Sequence, residues 1–161
     1  MDVVMPIILA RVDDRLIHGQ VTEGWAKKYP PSFILVVSDN VACSELESDI
    51  CLAALPDAIQ GRIVGVESSP SYINEMYENS VPSYVLFESP KDAYDAVTHG
   101  ADITVLNIGG MHSTKGKREI VDYIYVDDED IFYLKALHEK GVKLDFRDLP
   151  DNNNDDILGM I

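Results

Sequence analysis

Apolar runs and helical periods take turns along the chain. MPIILARV (5–12) is apolar without alternation, the mark of a strand buried on both faces. HGQVTEGWAKKY (18–29) has a helical pattern with Val21 and Trp25 inward, Ala26 beside them. SFILVVSD (32–39) is a second buried strand. NVACSELESDICLAALP (40–56) carries apolar residues at 43, 46, 50, 51, 54 and 55, close to a 3.6 period. The period predicts one helix with that stripe turned to the core, capped by Asp39 or Asn40 and ended by Pro56.

The alternation continues. RIVGVES (62–68) is a third strand, and SPSYINEMYEN (69–79) opens a helix with proline in its first turn. SYVLFES (83–89) and SPKDAYDAVTHG (89–100) repeat that grammar, with Gly100 as a C-cap. ITVLNIGG (103–110) is a fifth apolar strand. EIVDYIYV (119–126) alternates and reads as one half-exposed strand near an edge. DEDIFYLKALHEKG (128–141) is a helix with acids in its first turn and Lys140 in its last. KLDFRDLP (143–150) is a last strand. Residues 151–161 are a polar link with a short apolar end, expected to be loose or to dock late.

This order defines an α/β class. The expected architecture is an open, mainly parallel sheet of about six to seven strands with helices on both faces. One or two edge strands are allowed to be antiparallel. Nothing resembling a linker or repeat divides the chain, so residues 1–161 read as a single domain. In such sheets ligands bind outside the carboxyl ends of the strands.

Composition narrows the class of partner. Hydrophobic residues make up 46% and no apolar run reaches the ~20 residues of a membrane span. MDVVMPIILA lacks a basic start and a small-residue cleavage site, so a buried strand is expected there and not a signal peptide. Two cysteines, Cys43 and Cys51, are too few for a disulfide framework; both read as core, in a cytoplasmic protein. The formal net charge of −15 excludes a nucleic-acid partner. It does not exclude a local phosphoryl site, because the cations are concentrated. Between residues 29 and 114 only Arg62 and Lys91 are basic, whereas Arg11, Arg15, Lys27 and Lys28 come before and Lys115, Lys117 and Arg118 after.

The first of those groups surrounds a histidine. RVDDRLIHGQV (11–21) follows the first strand and places two arginines and two aspartates just before His18. The other histidines are His99, His112 and His138. They give no HxH or HExxH spacing, so no metal site is expected. GxSxG, CxxC, GxGxxG and GxxxxGK[ST] are absent, and no cofactor is expected. A phosphoryl-accepting histidine fits the loop. Arg15 offers a planar fork for phosphate. Gly19, Gln20 and Val21 would form the first turn of a helix, whose free N–H groups favour anions. Asp14 or Asp13 orients an arginine or the ring. Another reading stands beside this one: the Arg and Asp residues pair among themselves and His18 merely starts the helix.

The segment RVDDRLIHGQV resembles the signature of the IIB proteins of the mannose/fructose/sorbose family of the bacterial sugar phosphotransferase system. ILVVSDNVA (34–42), AALP (53–56), LNIGGMHSTKGKREI (106–120) and GVKLDFRDLP (141–150) resemble further blocks of that family, in order. The resemblance covers roughly residues 6 to 150 and implies a carrier of this α/β architecture. It implies that His18 accepts a phosphoryl group from a phosphohistidine of a IIA protein. The group then passes to a sugar imported by the membrane IIC and IID subunits, a protein-N(π)-phosphohistidine–sugar phosphotransferase activity. His18 is the implied catalytic residue and Arg15 its nearest phosphate-stabilising neighbour. Arg11, Asp14, Gly19, Gln20, Gly110 and His112 are expected on the site wall. For His112 the alternative is a glycine turn with a solvated basic loop. The alternative function is a regulatory phosphohistidine module without sugar transport. A cytoplasmic place, peripheral to the inner membrane through partners, is implied, and a homo-oligomer is compatible. The helix over 40–56 is acidic where relatives commonly carry basic residues. The two cationic islands are expected to flank the active loop and to receive the donor.

Overall fold

The computed structural model describes residues 6–161. Met5, the first residue of the expected opening strand, lies outside them. Strand β1 (Ile7–Asp13) leads through a loop to a helix, α1, which is π-helical over Gln20–Trp25 and α-helical over Ala26–Lys28. Then come β2 (Phe33–Val37), α2 (Asp39–Ala42), α3 (Glu45–Ala53), β3 (Gln60–Val64) and α4 (Ser69–Asn79). They are followed by β4 (Ser83–Phe87), α5 (Pro90–Thr98) and β5 (Val105–Gly110). A hairpin of β6 (Arg118–Val121) and β7 (Ile124–Val126), α6 (Asp128–Glu139) and β8 (Lys143–Asp145) complete the fold.

Six strands form one sheet in the order β3-β2-β4-β1-β5-β8, and every pairing in it is parallel. The apolar strands sit where their sequences require, between two layers. On one face Val21 and Trp25 of α1, Val41 of α2 and the half-buried Cys51 of α3 pack with Leu9, Ile34, Val36 and Leu86. On the other, Ile73 and Met76 of α4, Ala93 and Ala96 of α5 and Leu134 and Leu137 of α6 pack with Val12, Leu35, Val37, Val85 and Ile108. Connections running toward β3 thus put helices on one face and those running toward β8 on the other, as right-handed crossovers impose.

Two expectations change, and a third resolves to one of its two alternatives. EIVDYIYV is not one strand at the sheet edge. It turns back at Asp122–Tyr123 and pairs antiparallel with itself, apart from the main sheet. The turn lets Ile124 and Val126 enter the core, while Met111, just past β5, exchanges backbone hydrogen bonds with Tyr123 and Tyr125. The segment 40–56 is not one helix facing inward. Ser38 caps α2 by accepting from the N–H of Val41, and Ser44 caps α3 by accepting from that of Glu47, so the chain bends between them. On α3 the expected core positions Leu46 and Ile50 are 70% and 63% exposed. Cys43 is also exposed, whereas Cys51 and Leu55 pack against the core. The C-terminal segment is docked: Ile157 is fully buried and the Asn154 side chain accepts from the N–H of Phe146.

Candidate functional site

Strand parity builds the site. Leu9, Arg11 and Asp13 alternate onto the face of β1 covered by α1, while Ala10 and Val12 face the other core. Arg11 and Asp13 are therefore carried inward and both are wholly buried. A buried charge requires partners. The Arg11 guanidinium donates from Nε and Nη2 to Asp13 Oδ2 at 3.1 and 2.9 Å. Nη1 donates to Asn107 Oδ1 and to the carbonyl of Asp148, both at 2.9 Å, and Nη2 also donates to Gln20 Oε1 at 3.1 Å. The guanidinium lies 5.9 Å from the Trp25 ring, and Arg147 lies 5.6 Å from the same ring. The Trp25 indole N–H donates to the carbonyl of Asp148.

The β5 backbone has to leave room for these side chains. A Cβ on Gly109 would lie 1.9 Å from the guanidinium carbon of Arg11, and one on Gly110 would lie 2.9 Å from Asp13 Oδ1. The Gly109-Gly110 pair is thus a consequence of what β1 buries.

Beyond Asp13 the chain turns, with the N–H of Leu16 donating to the carbonyl of Asp13. Leu16 takes a positive φ of 56°, costly for a leucine, and is held there by burial with Ile17 against α1 and α2. This turn brings His18 back over Asp13: Nε2 stands 2.6 Å from Asp13 Oδ2. Nδ1 has no hydrogen-bond partner among the described residues. The ring is 15% exposed. Gly19 is exposed, and a Cβ there would meet nothing within 4 Å, so the space beside His18 is open.

Asp13 also accepts the backbone N–H of Arg15 at 3.0 Å. Burial alone would raise its pKa. The hydrogen bond to His18 and the charge of Arg11, together with that N–H, outweigh burial and hold the carboxyl below the usual aspartate value. Burial lowers the pKa of Arg11 against the opposing pull of Asp13. Arg15 is the outer cation. Its side chain is exposed, its Nη2 donates to Gln20 Oε1 at 3.1 Å and its Nε lies 3.7 Å from Asp13 Oδ1. Gln20 Oε1 therefore joins a buried and an exposed guanidinium.

Of the residues singled out in the sequence, Arg11, Arg15, His18 and Gln20 come together in one network. Asp14 does not join it. It binds His112, accepting the His112 N–H at 2.7 Å and meeting Nδ1 with its other oxygen, while its own N–H donates to the carbonyl of Gly110. Gly110 and His112 thus lie at the same carboxyl edge, joined to the loop through Asp14. The ring partner is Asp13, which the sequence left undecided against Asp14. Asn107, Gly109, Trp25 and the carbonyl of Asp148 were missed. The parity of β1 was the available signal for Asp13. The contact with Asp148, from the far end of the chain, left none.

The cationic islands are largely neutralised. Lys27 pairs with Glu23 at 3.1 Å, Lys28 with Asp151, Lys117 with Asp130 at 2.8 Å and Arg118 with Asp128 at 3.7 Å.

No helix among the described residues is long and apolar enough to cross a membrane. Comparison with known proteins agrees with the geometry. The chain is 39% identical over 158 residues to the sorbose-specific EIIB component of Lacticaseibacillus casei, covering 98% of this chain and 96% of that protein. It is 33% identical over 157 residues to the fructose-specific EIIB component of Bacillus subtilis, with the same coverages. The crystal structure of the IIBSor domain of the sorbose permease from Klebsiella pneumoniae superposes with a TM-score of 0.87 at 34% identity, over 96% of this chain and 95% of that one. Residues 7–161 match the family described as the sorbose subfamily IIB component of the phosphotransferase system. The chain therefore belongs to that family, the mannose/fructose/sorbose-type IIB phosphotransfer components of the bacterial sugar phosphotransferase system.

Proposed function

We propose that His18 carries the phosphoryl group and that Nδ1 is the atom that bonds it. The observation behind this reading is the 2.6 Å contact between His18 Nε2 and the buried Asp13 carboxylate, which fixes the Nε2–H tautomer and leaves the Nδ1 lone pair free. Nδ1 attacks phosphorus and the P–N bond to a phosphohistidine of a IIA protein breaks, returning its electron pair to the donor imidazole. His18 becomes a phosphorylated imidazolium whose charge faces Asp13. Arg15 leaves Gln20 to meet two phosphoryl oxygens, and the N–H groups of Gly19 and Gln20 stand at the first turn of α1. In the second step a sugar hydroxyl held by the membrane IIC and IID subunits attacks phosphorus, its proton passing to water or to a base beside the sugar, and the P–N bond to His18 breaks with its electron pair returning to Nδ1. The activity is that of a protein-N(π)-phosphohistidine–sugar phosphotransferase component, in one cytoplasmic domain working at the inner membrane. Relatives are named for fructose and sorbose, so these are the first sugars to offer.

Incubation with phosphoenolpyruvate, the general phosphotransferase proteins and a cognate IIA protein tests the reading. One acid-labile, base-stable phosphate per chain is expected, lost in His18→Ala and kept in His112→Ala. An acid-stable phosphate, or labelling that persists without His18, would overturn it.

A further inference from the structure

Part of the apolar stripe expected over 43–55 faces solvent instead of the core. Leu46, Ile50 and Ala53 of α3, with Ala54 at its end, are exposed, as is Cys43 at the end of α2. Single exposed apolar side chains are ordinary, but a continuous row marks a contact surface. Exposed carboxylates edge this row: Glu45, Glu47 and Asp49. Among the described residues none of the three forms an ion pair, unlike most cations near the site. The inward face of the same helix packs beside the active loop: Cys51, one residue after Ile50, joins the cluster that holds Leu16 and Ile17.

This surface selects its occupant by charge. A second copy of the chain would bring its own carboxylates against it, and an anionic lipid surface would repel a protein of net charge −15. The cytoplasmic loops of integral membrane proteins carry an excess of Lys and Arg. Resting on the function proposed above, we infer that the Leu46–Ile50 row with its acidic border docks the protein onto the cytoplasmic face of the membrane sugar permease, in an apolar groove edged by Lys and Arg. Docking along α3, which packs beside the His18 loop, keeps that loop close to the membrane-held sugar. It also solves the approach of a strongly acidic carrier to an acidic membrane: the permease, and not the lipid, supplies the attraction.

Two double variants of the full chain test this, Leu46→Ser/Ile50→Ser and Glu45→Lys/Asp49→Lys. Three measurements are made: co-sedimentation with membrane vesicles bearing the cognate IIC and IID subunits, the rate of sugar phosphorylation by those vesicles, and the rate of phosphoryl uptake from the donor protein in solution. Both variants are expected to lose co-sedimentation and to need at least about tenfold more protein for half-maximal sugar phosphorylation. Uptake in solution is expected to stay at the parent rate, which also shows that the variants are folded. Retained co-sedimentation in both variants overturns the inference, as does an equal loss of uptake from the donor, which would give the surface to the donor protein. A parent chain that self-associates through this row, with a monomeric serine variant, overturns it in favour of a dimer interface. Co-sedimentation needs no phosphate, so a parent chain that binds vesicles but is never phosphorylated on His18 rejects the proposed chemistry and leaves the docking surface standing.

Discussion

Asp13 accepts from both Arg11 and His18 on a single oxygen, Oδ2, at 2.9 and 2.6 Å. One buried carboxylate thus neutralises the interior cation and orients the half-buried ring. Asp13→Asn keeps the shape and removes the charge, leaving Arg11 buried without its counter-ion. A loss of about 3–5 kcal/mol in unfolding free energy is expected, together with slower phosphoryl uptake on His18. The pH dependence separates this from a simple packing defect. The Asp13 carboxyl titrates below its unfolded value of about 3.9. Its contribution is therefore complete above that value and is lost as pH falls through the lower, folded one. Denaturant titrations across the acid range are expected to show that loss in the parent chain and not in Asp13→Asn.

In the proposed transfer Arg15 contributes a fork and not merely a charge. Arg15→Ala is expected to slow phosphoryl uptake about 10- to 100-fold, the equivalent of one charge-assisted hydrogen bond of ~1.5–3 kcal/mol. Arg15→Lys is expected to lie between, since an ammonium meets phosphate as a point charge. The side chain is exposed, so both variants should unfold at the parent's denaturant concentration. Single-turnover transfer from the phosphorylated donor measures the effect. Parent-like rates in Arg15→Ala would move the role to the first turn of α1.

Gly109→Ala tests the channel in β5 through which Arg11 passes. The added methyl would lie 1.9 Å from the guanidinium carbon. The guanidinium must leave Asn107 and Asp13, and the expected cost is at least about 3 kcal/mol, as for any displaced buried charge. Gly19→Ala meets no atom and is expected to leave stability within about 0.5 kcal/mol. Parallel urea titrations of the two variants give the comparison.

Asp92 carries a titration of opposite sign. Burial, with Glu88 and Asp39 nearby and only partly offset by Ser89, pushes its carboxyl up to about 6. A raised carboxyl binds its proton more tightly in the folded state, so stability falls as pH rises from about 4 to above 6. Asp92→Asn is expected to be more stable than the parent at pH 7 by up to about 2 kcal/mol, with the gain vanishing near pH 4. A gain that persists at pH 4 would assign it to something other than this proton.

The order of strands and helices was legible because continuous apolar runs and Ser-Pro starts are local signals; α4 spans the same residues in sequence and structure. Period alone does not say which way a stripe points, and that is why Leu46 and Ile50 were expected in the core. Ser44, three residues before Glu47, was a readable second cap that would have divided the helix. At the site the crowding of Arg11, Asp13, Arg15 and His18 was plain, and their division of labour was not. Alternation along β1 assigns Arg11 and Asp13 to one inward face and leaves Asp14 outside it, yet choosing Asp13 as the ring's partner requires the turn at Leu16. The carbonyl of Asp148, which fastens both Arg11 and Trp25, meets them through the tertiary fold across 137 and 123 residues of chain.

Trp25 is the chain's single tryptophan, and its indole lies close to two guanidinium groups, one of which shares Asp13 with the His18 ring. An indole's emission responds to the charges close to its ring. In the transfer proposed above, a phosphoryl group on His18 would draw on the same Asp13 and Gln20 that hold Arg11 and so change the field at Trp25 with each gain and loss of phosphate. Trp25 would then be a built-in optical gauge, by which that transfer could be followed in real time in the unlabelled molecule.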